Sequence, residues 1–208
     1  MSVSVFSIQD TEISERQIYN LIKIAFQERK EAGLNYGCLS LSFEAFLKEI
    51  EDNVILVAVD DNLGVLCGCT TLSFRMDKHG KRYGWERHTS VHPDYKGMGV
   101  GTMLISELKN KAIEYGCEYL GCSTAVEAES AVKVHLKNGY QIIGLKSFKS
   151  TNYYSFIFRM QLSPSRWSDP AFCKKQFKKS QRKVRLAYKA DGSYTFLGKV
   201  LSKLGIKW

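Results

Sequence analysis

The chain has 208 residues, 44% of them apolar, which is enough for one ordinary domain with an appendage and a sizeable core. No apolar run reaches bilayer-spanning length, and Met1-Ser2-Val3-Ser4 carries no basic stretch followed by an apolar one, so a cytoplasmic location is expected. Of the 30 Lys/Arg and 21 Asp/Glu behind the net charge of +9, 12 and 2 fall in residues 163–208, leaving 18 and 19 in residues 1–162; the basicity therefore belongs to the tail.

Residues 3–8 alternate like a short strand. Ser14 then stands as a cap before Ile18, Leu21, Ile22, Ala25 and Phe26, whose helical spacing runs to about Ala32, with Gly33 as the stop. Residues 34–41 read as a loop, and Ser42 caps a second helix carrying Phe43, Phe46, Leu47 and Ile50. Residues 54–59 and 65–74 form a hairpin through Asp61-Asn62, and a turn at 77–81 leads to a strand over 82–91. A helix follows from about Gly101 to Tyr115, with Val100, Leu104, Leu108 and Ala112 on one face and Gly116 behind it. Residues 119–123 are a strand and 129–136 a short helix ending at Asn138-Gly139. Residues 141–149 and 154–162 are a closing pair of strands. The six cysteines, at 38, 67, 69, 117, 122 and 173, form no CxxC pair and lie partly in apolar runs. Reduced, mostly buried thiols are expected, and no metal site.

The chemistry concentrates at Ser90-Val91-His92-Pro93-Asp94-Tyr95-Lys96-Gly97-Met98-Gly99-Val100-Gly101, where a strand gives way to a helix. Such a turn exposes N–H groups that have no partner within the helix, at the positive end of its dipole, and so suits a phosphate. Lys96 stands at the entrance, and no acidic residue occurs between Tyr95 and Ser106. The G-x-G-x-x-G pattern fails at Thr102 and Leu104, and G-x-x-x-x-G-K-[ST] is absent. Lys96-Gly97-Met98-Gly99-Val100-Gly101, led in by Val91-His92-Pro93, instead resembles the Q/R-x-x-G-x-G/A signature of the GCN5-related N-acetyltransferases (GNAT), with lysine where glutamine or arginine is usual. A second segment, Ala131-x-x-Val134-His135-x-Lys137-x-Gly139-Tyr140, is similar to the family's N-x-x-A-x-x-L-Y-x-K-x-G-F/Y. It departs from that pattern at Ala128 and at His135, which replaces a tyrosine.

The resemblance covers residues 3–162. It implies an α/β fold with a mixed, largely antiparallel seven-stranded sheet flanked by helices and a GNAT domain over 1–162, while the change of composition after Pro164 marks residues 163–208 as a basic, partly helical extension. The resemblance also implies acetyl-coenzyme A as co-substrate, its pyrophosphate held by Lys96, Gly97, Met98, Gly99, Val100 and Gly101 and its pantetheine arm paired with backbone at Val91.

Acetyl transfer to an amine needs a group that takes the amine proton, and the strand Trp85-Glu86-Arg87-His88-Thr89-Ser90 offers two. Alternation puts Glu86 and His88 on one face, although the family often bulges this strand. Glu86 acting through water is the first candidate and His88 the second. His135, at the position of the family's tyrosine, is the candidate that returns a proton to the departing thiolate. Asn35 and Tyr36, in the loop between the first two helices, are the candidate acceptor contacts.

The expected activity is acetyl transfer to a primary amine of a small molecule, with an amino sugar in glycan synthesis favoured. A protein or polyamine acceptor, or a silent module binding acyl-coenzyme A or nucleic acid, are the alternatives. No recognised nucleic-acid motif accompanies the basic runs of the tail. At its end Leu197, Val200, Leu201, Leu204 and Trp208 share a helical face beside Lys199, Lys203 and Lys207. That face fits the surface of an anionic membrane, the chain's own domain, or a second subunit in a homodimer.

Overall fold

A computed structural model describes residues 2–205; Lys207 and Trp208 of the tail pattern lie outside the described residues. Contacts divide the chain into two units, residues 1–120 and 121–208.

In the first unit, β1 (Val3–Ser7), β2 (Val54–Asp60), β3 (Val65–Met76) and β4 (Arg82–Val91) lie side by side in that order, each antiparallel to the next. The β2–β3 and β3–β4 connections are short because each turn satisfies its own backbone: Gly64 N–H returns to Asp60 C=O, and Asp77 Oδ1 accepts from the N–H groups of His79 and Lys81. Helix α1 (Glu15–Glu31) starts at Ser14 in a capping box with Gln17 and stops where Gly33 turns left-handed. The segment read as a loop contains one short helix, α2 (Gly37–Ser40), before Ser42 caps α3 (Phe43–Ile50). Ile18, Leu21 and Ile22 of α1 and Phe46 and Ile50 of α3 bury their apolar stripes against Ile55, Val57 and Cys69 of the sheet. Each such side chain contributes about 1.5–3 kcal/mol by leaving water.

Helix α4 (Val100–Glu114) buries Val100, Leu104, Ile105, Leu108 and Ala112. Its seat is Gly68 of β3, where a Cβ would lie 2.8 Å from Val100 Cγ1 and 3.0 Å from Leu104 Cδ1. This close approach fixes the first turn of α4 beside the end of β4.

Strand β5 (Tyr119–Ala125) crosses the boundary between the units. In the second unit the strand order is β5, β7 (Tyr154–Gln161), β6 (Gln141–Ser147), with β6 and β7 antiparallel and α5 (Glu129–Lys137) preceding them. The basic extension begins just after β7 and folds into α6 (Pro170–Ala187) and α7 (Phe196–Lys203). Helix α6 packs on β6, where Ser180 Oγ donates to Leu145 C=O and accepts from Leu145 N–H, both at 3.0 Å. Tyr154 OH donates to Tyr188 C=O at 2.9 Å. The chain is thus a mixed α/β fold with seven strands and seven α-helices among the described residues.

Candidate active site

The glycine stretch folds as a 3-10 turn (Pro93–Tyr95), an extended Lys96, and the start of α4. Gly97 and Gly99 have φ of 80° and 84°, a region that side chains disfavour, and a Cβ on either would meet nothing within 4 Å. Their necessity is therefore conformational, and the space above them is open. Gly99 occupies the N-cap position and no side chain caps the helix. The N–H groups of Val100 and Gly101 have no carbonyl four residues back inside the helix, so the positive end of α4 faces this opening.

The turn is anchored from below by Tyr95, whose buried hydroxyl donates to Asp60 Oδ2 at 3.0 Å. Asp60 also accepts from the backbone N–H of Asn62 and Leu63; these bonds, led by that from Asn62 and joined by that from Tyr95, hold its carboxyl below the usual range despite burial. Lys96 is not alone at the entrance, as the local sequence suggests. Glu28 of α1 comes within 2.6 Å of its Nζ, and the pairing lowers the Glu28 carboxyl. Both side chains are exposed, so an incoming anion can compete for Lys96 at small cost.

At the other end of the stretch, His92 N–H donates to Cys67 C=O at 2.9 Å. Facing residues in an antiparallel pair alternate between hydrogen-bonded and non-hydrogen-bonded types. The neighbouring pair Gly68 and Val91 is therefore of the second type, and the N–H and C=O of Val91 point away from β3.

Between these points β4 carries a bulge. Cys69 faces Ser90 and Thr71 faces Arg87, so His88 and Thr89 together oppose Thr70, and His88 adopts φ 56°. The extra residue breaks alternation, and Glu86 and His88 end on opposite faces of the sheet. Thr70 shares the face of Gly68, on which α4 lies. There Thr89 Oγ1 donates to Glu86 Oε1 at 2.6 Å, which leaves Thr70 to donate to Thr89 Oγ1 at 2.7 Å. Glu86 is buried at 3% exposure at the end of this hydroxyl chain.

On the other face, His88 lies between Thr71, whose Oγ1 is 3.0 Å from Nδ1, and Glu49 of α3, whose Oε2 is 3.5 Å from Nε2. Phe46 closes its ring edge-on at 5.6 Å, and Arg87 pairs with the same Glu49. The nearby His88 and Arg87 hold the Glu49 carboxyl below its usual value near 4.5, against burial. Nothing in the local sequence marks Glu49 as a partner of β4, since it belongs to a helix more than thirty residues earlier. A carboxyl depressed by folding stabilises the protein above its unfolded pKa and loses that contribution as pH falls through the lower folded value. Glu49→Gln is therefore expected to destabilise by about 1–2 kcal/mol at neutral pH, with the gap to wild type closing below pH 4.5. Urea unfolding across pH reads it directly, and a gap that widens in acid would refute the pairing.

In the second unit, His135 is buried on α5 rather than open to solvent, stacked on Phe158 at 5.2 Å with Tyr140 edge-on. Its Nδ1 is 2.7 Å from Ala131 C=O, an atom that only accepts, so Nδ1 carries the proton and Nε2 is the atom able to exchange one. Tyr36 is buried against Phe26 and beneath Arg29, and with Asn35 it lines a cavity of about 380 Å³ shared with Lys30, Leu34, Leu39 and Ser40. All six cysteines are free thiols; burial pushes Cys38 and Cys67 up to about 11 and Cys69 to about 12, which keeps them protonated.

Residues 16–140 match the family model described as Acetyltransferase (GNAT) family. A 55-residue stretch is 31% identical to "Acetyltransferase SG1711" of Sodalis glossinidius; the match spans 26% of this chain and 39% of that relative's length. Among solved structures, the fold is similar to a chain of the NatC complex bound to Gag peptide and CoA, with a TM-score of 0.64 at 18% identity over 78% of this chain and all of that one. It is also similar to the ribosomal-protein-S18-alanine N-acetyltransferase of Escherichia coli, with a TM-score of 0.58 at 12% identity over 79% of this chain and 96% of that one.

Proposed function

The chain belongs to the acetyltransferase (GNAT) family, and on that premise we propose that it transfers the acetyl group of acetyl-CoA to a primary amine of a small molecule, an amino sugar in glycan synthesis first among them. One juxtaposition carries the reading. The uncapped start of α4, the outward backbone of Val91 and the buried Glu86 lie along a single strand–helix junction, on elements locked together through Gly68.

The fit to the donor follows from these groups. Gly97 and Gly99 leave open space above N–H groups at the positive end of a helix, which suits a pyrophosphate, and Lys96 is a surface cation able to exchange Glu28 for it. The N–H and C=O of Val91 supply strand-like pairing for an amide-bearing arm. Acetyl-CoA supplies the activated acyl group; the chain's own residues handle protons. Glu86, on the α4 face, takes the proton of the acceptor amine, and the Thr70–Thr89 chain fixes its orientation. His88, enclosed on the opposite face, holds the bulge in place as a positioning residue. His135 returns a proton to the departing thiolate from Nε2 of its doubly protonated ring, while Nδ1–H stays bonded to Ala131 C=O.

The acceptor side draws on the cavity at Asn35 and Tyr36, whose mixed lining with Lys30 suits a small polar molecule better than a polycation. The near-neutral balance of residues 1–162 agrees with that. Incubation of the protein and acetyl-CoA with amino sugars, polyamines and peptides, followed by thiol release and product mass, tests this. Amino-sugar turnover at least about tenfold above the other amines in kcat/KM supports it. Preference for a polyamine or peptide would replace the acceptor, and saturable acetyl-CoA binding with no turnover on any amine would replace the enzyme with a binding module.

A further inference from the structure

The two tail helices meet at a glycine. A Cβ on Gly198 would lie 2.0 Å from Ala187 C=O, and the approach is tied by Thr195, whose N–H and Oγ1 donate to the carbonyls of Ala187 and Leu186. Helix α7 therefore docks on the end of α6 through its smallest residue, and its apolar stripe is left for something else. At about 100° per residue, Phe196, Val200, Leu204 and Leu197 fall in one sector opposite Gly198. Phe196 is 85% exposed and Leu204 67%. Lys199 and Lys203 line one border of this sector.

The surrounding charge has one sign. Lys174, Lys175, Lys178, Lys179, Arg182 and Lys183 are exposed along α6, and among the described residues none of them forms an ion pair. The two acids of the tail are occupied by local turns, Asp169 accepting from Ala171 N–H and Asp191 from Ser193 N–H. An outward apolar ridge bordered by unneutralised cations is complementary to a layered partner, anionic at the surface and apolar beneath. A second copy of so basic a tail would be repelled by its like charge. A nucleic acid would engage the lysines and leave Phe196 and Leu204 in water.

We infer that residues 170–204 form a docking surface for an anionic lipid bilayer. Helix α7 lies in the headgroup plane with Phe196, Leu197, Val200 and Leu204 inserted, and Lys199, Lys203 and the cations of α6 attract the headgroups. The surface brings the enzyme to a membrane without spanning it; among the described residues no helix is long and apolar enough to cross one.

Co-sedimentation of the full chain with phosphatidylcholine vesicles, with and without about one-third phosphatidylglycerol, tests the inference. Binding should be at least about tenfold tighter to the anionic vesicles and should weaken in high salt. The double variant Val200→Glu, Leu204→Glu should lose about tenfold or more of it with an unchanged melting temperature, because both side chains are solvent-exposed. Phe196→Ser serves as an independent variant of smaller effect should the double variant lose its fold. Absence of anionic-vesicle binding overturns the inference. So does binding that the apolar substitutions leave intact, tighter retention of an oligonucleotide than of vesicles, or a dimer that forms in place of vesicle binding.

Discussion

Replacing Glu86 by glutamine is expected to lower kcat by about 10²–10⁴, the usual contribution of a positioned general base, while the KM for acetyl-CoA stays within about twofold. The substitution suits the site because the amide oxygen still accepts from Thr89 Oγ1 and the side-chain volume is nearly unchanged, so the buried position keeps this hydrogen bond and its packing. The remaining rate should carry a pH signature. Without the carboxylate, only amine already neutral in solution reacts, so the logarithm of the rate should climb by about one per pH unit up to the acceptor's own pKa. His88→Gln supplies the contrast. It lies on the other face of the bulge, between Thr71 and Glu49, and its loss should fall mainly on stability and more mildly on kcat. A His88→Gln defect that equals or exceeds that of Glu86→Gln would reverse the assignment of the two residues.

Gly99→Val should raise the KM for acetyl-CoA by about tenfold or more, with kcat at saturating donor changed far less. Two effects act together there. A β-branched residue held at φ 84° is strained by about 1–3 kcal/mol, and relief of that strain moves the first turn of α4, whose N–H groups are the proposed phosphate seat. The valine side chain also enters the open space that the pyrophosphate would fill. Because a Cβ at this position meets no protein atom within 4 Å, the body of the fold is not overpacked and a folded variant is expected. Gly99→Ala, with less bulk and less strain, should fall between wild type and valine. Calorimetric titration with coenzyme A, which needs no acceptor, checks both; unchanged affinity in the valine variant would place the donor elsewhere.

Much of this site is written locally. A left-handed φ is a property of one residue, so the glycines at 97 and 99 mark the turn wherever it folds, and the stripe Val100, Leu104, Leu108 and Ala112 declares the buried face of the following helix. Ser14 and Ser42 mark helix starts for the same reason, since a cap bonds only three residues away. The bulge is another matter. Period-two alternation assigns Glu86 and His88 to one face, and only pairing with β3, where one threonine faces two residues, separates them. Glu28 beside Lys96, Glu49 beside Arg87 and His88, and Asp60 beneath Tyr95 are contacts over long sequence distances, and no local pattern announces them.

The sequence by itself determined the order of the strands and of the longer helices of residues 1–162, the glycine turn, the family and the basic character of the tail, because these follow from the conformational limits, spacing and charge of neighbouring residues. Tertiary structure alone decided which of Glu86 and His88 faces α4, which cation is already paired, and that α7 docks through Gly198 with its apolar stripe turned outward. Those outcomes depend on strand register and on which segments come into contact, and both are settled only when distant parts of the chain pack.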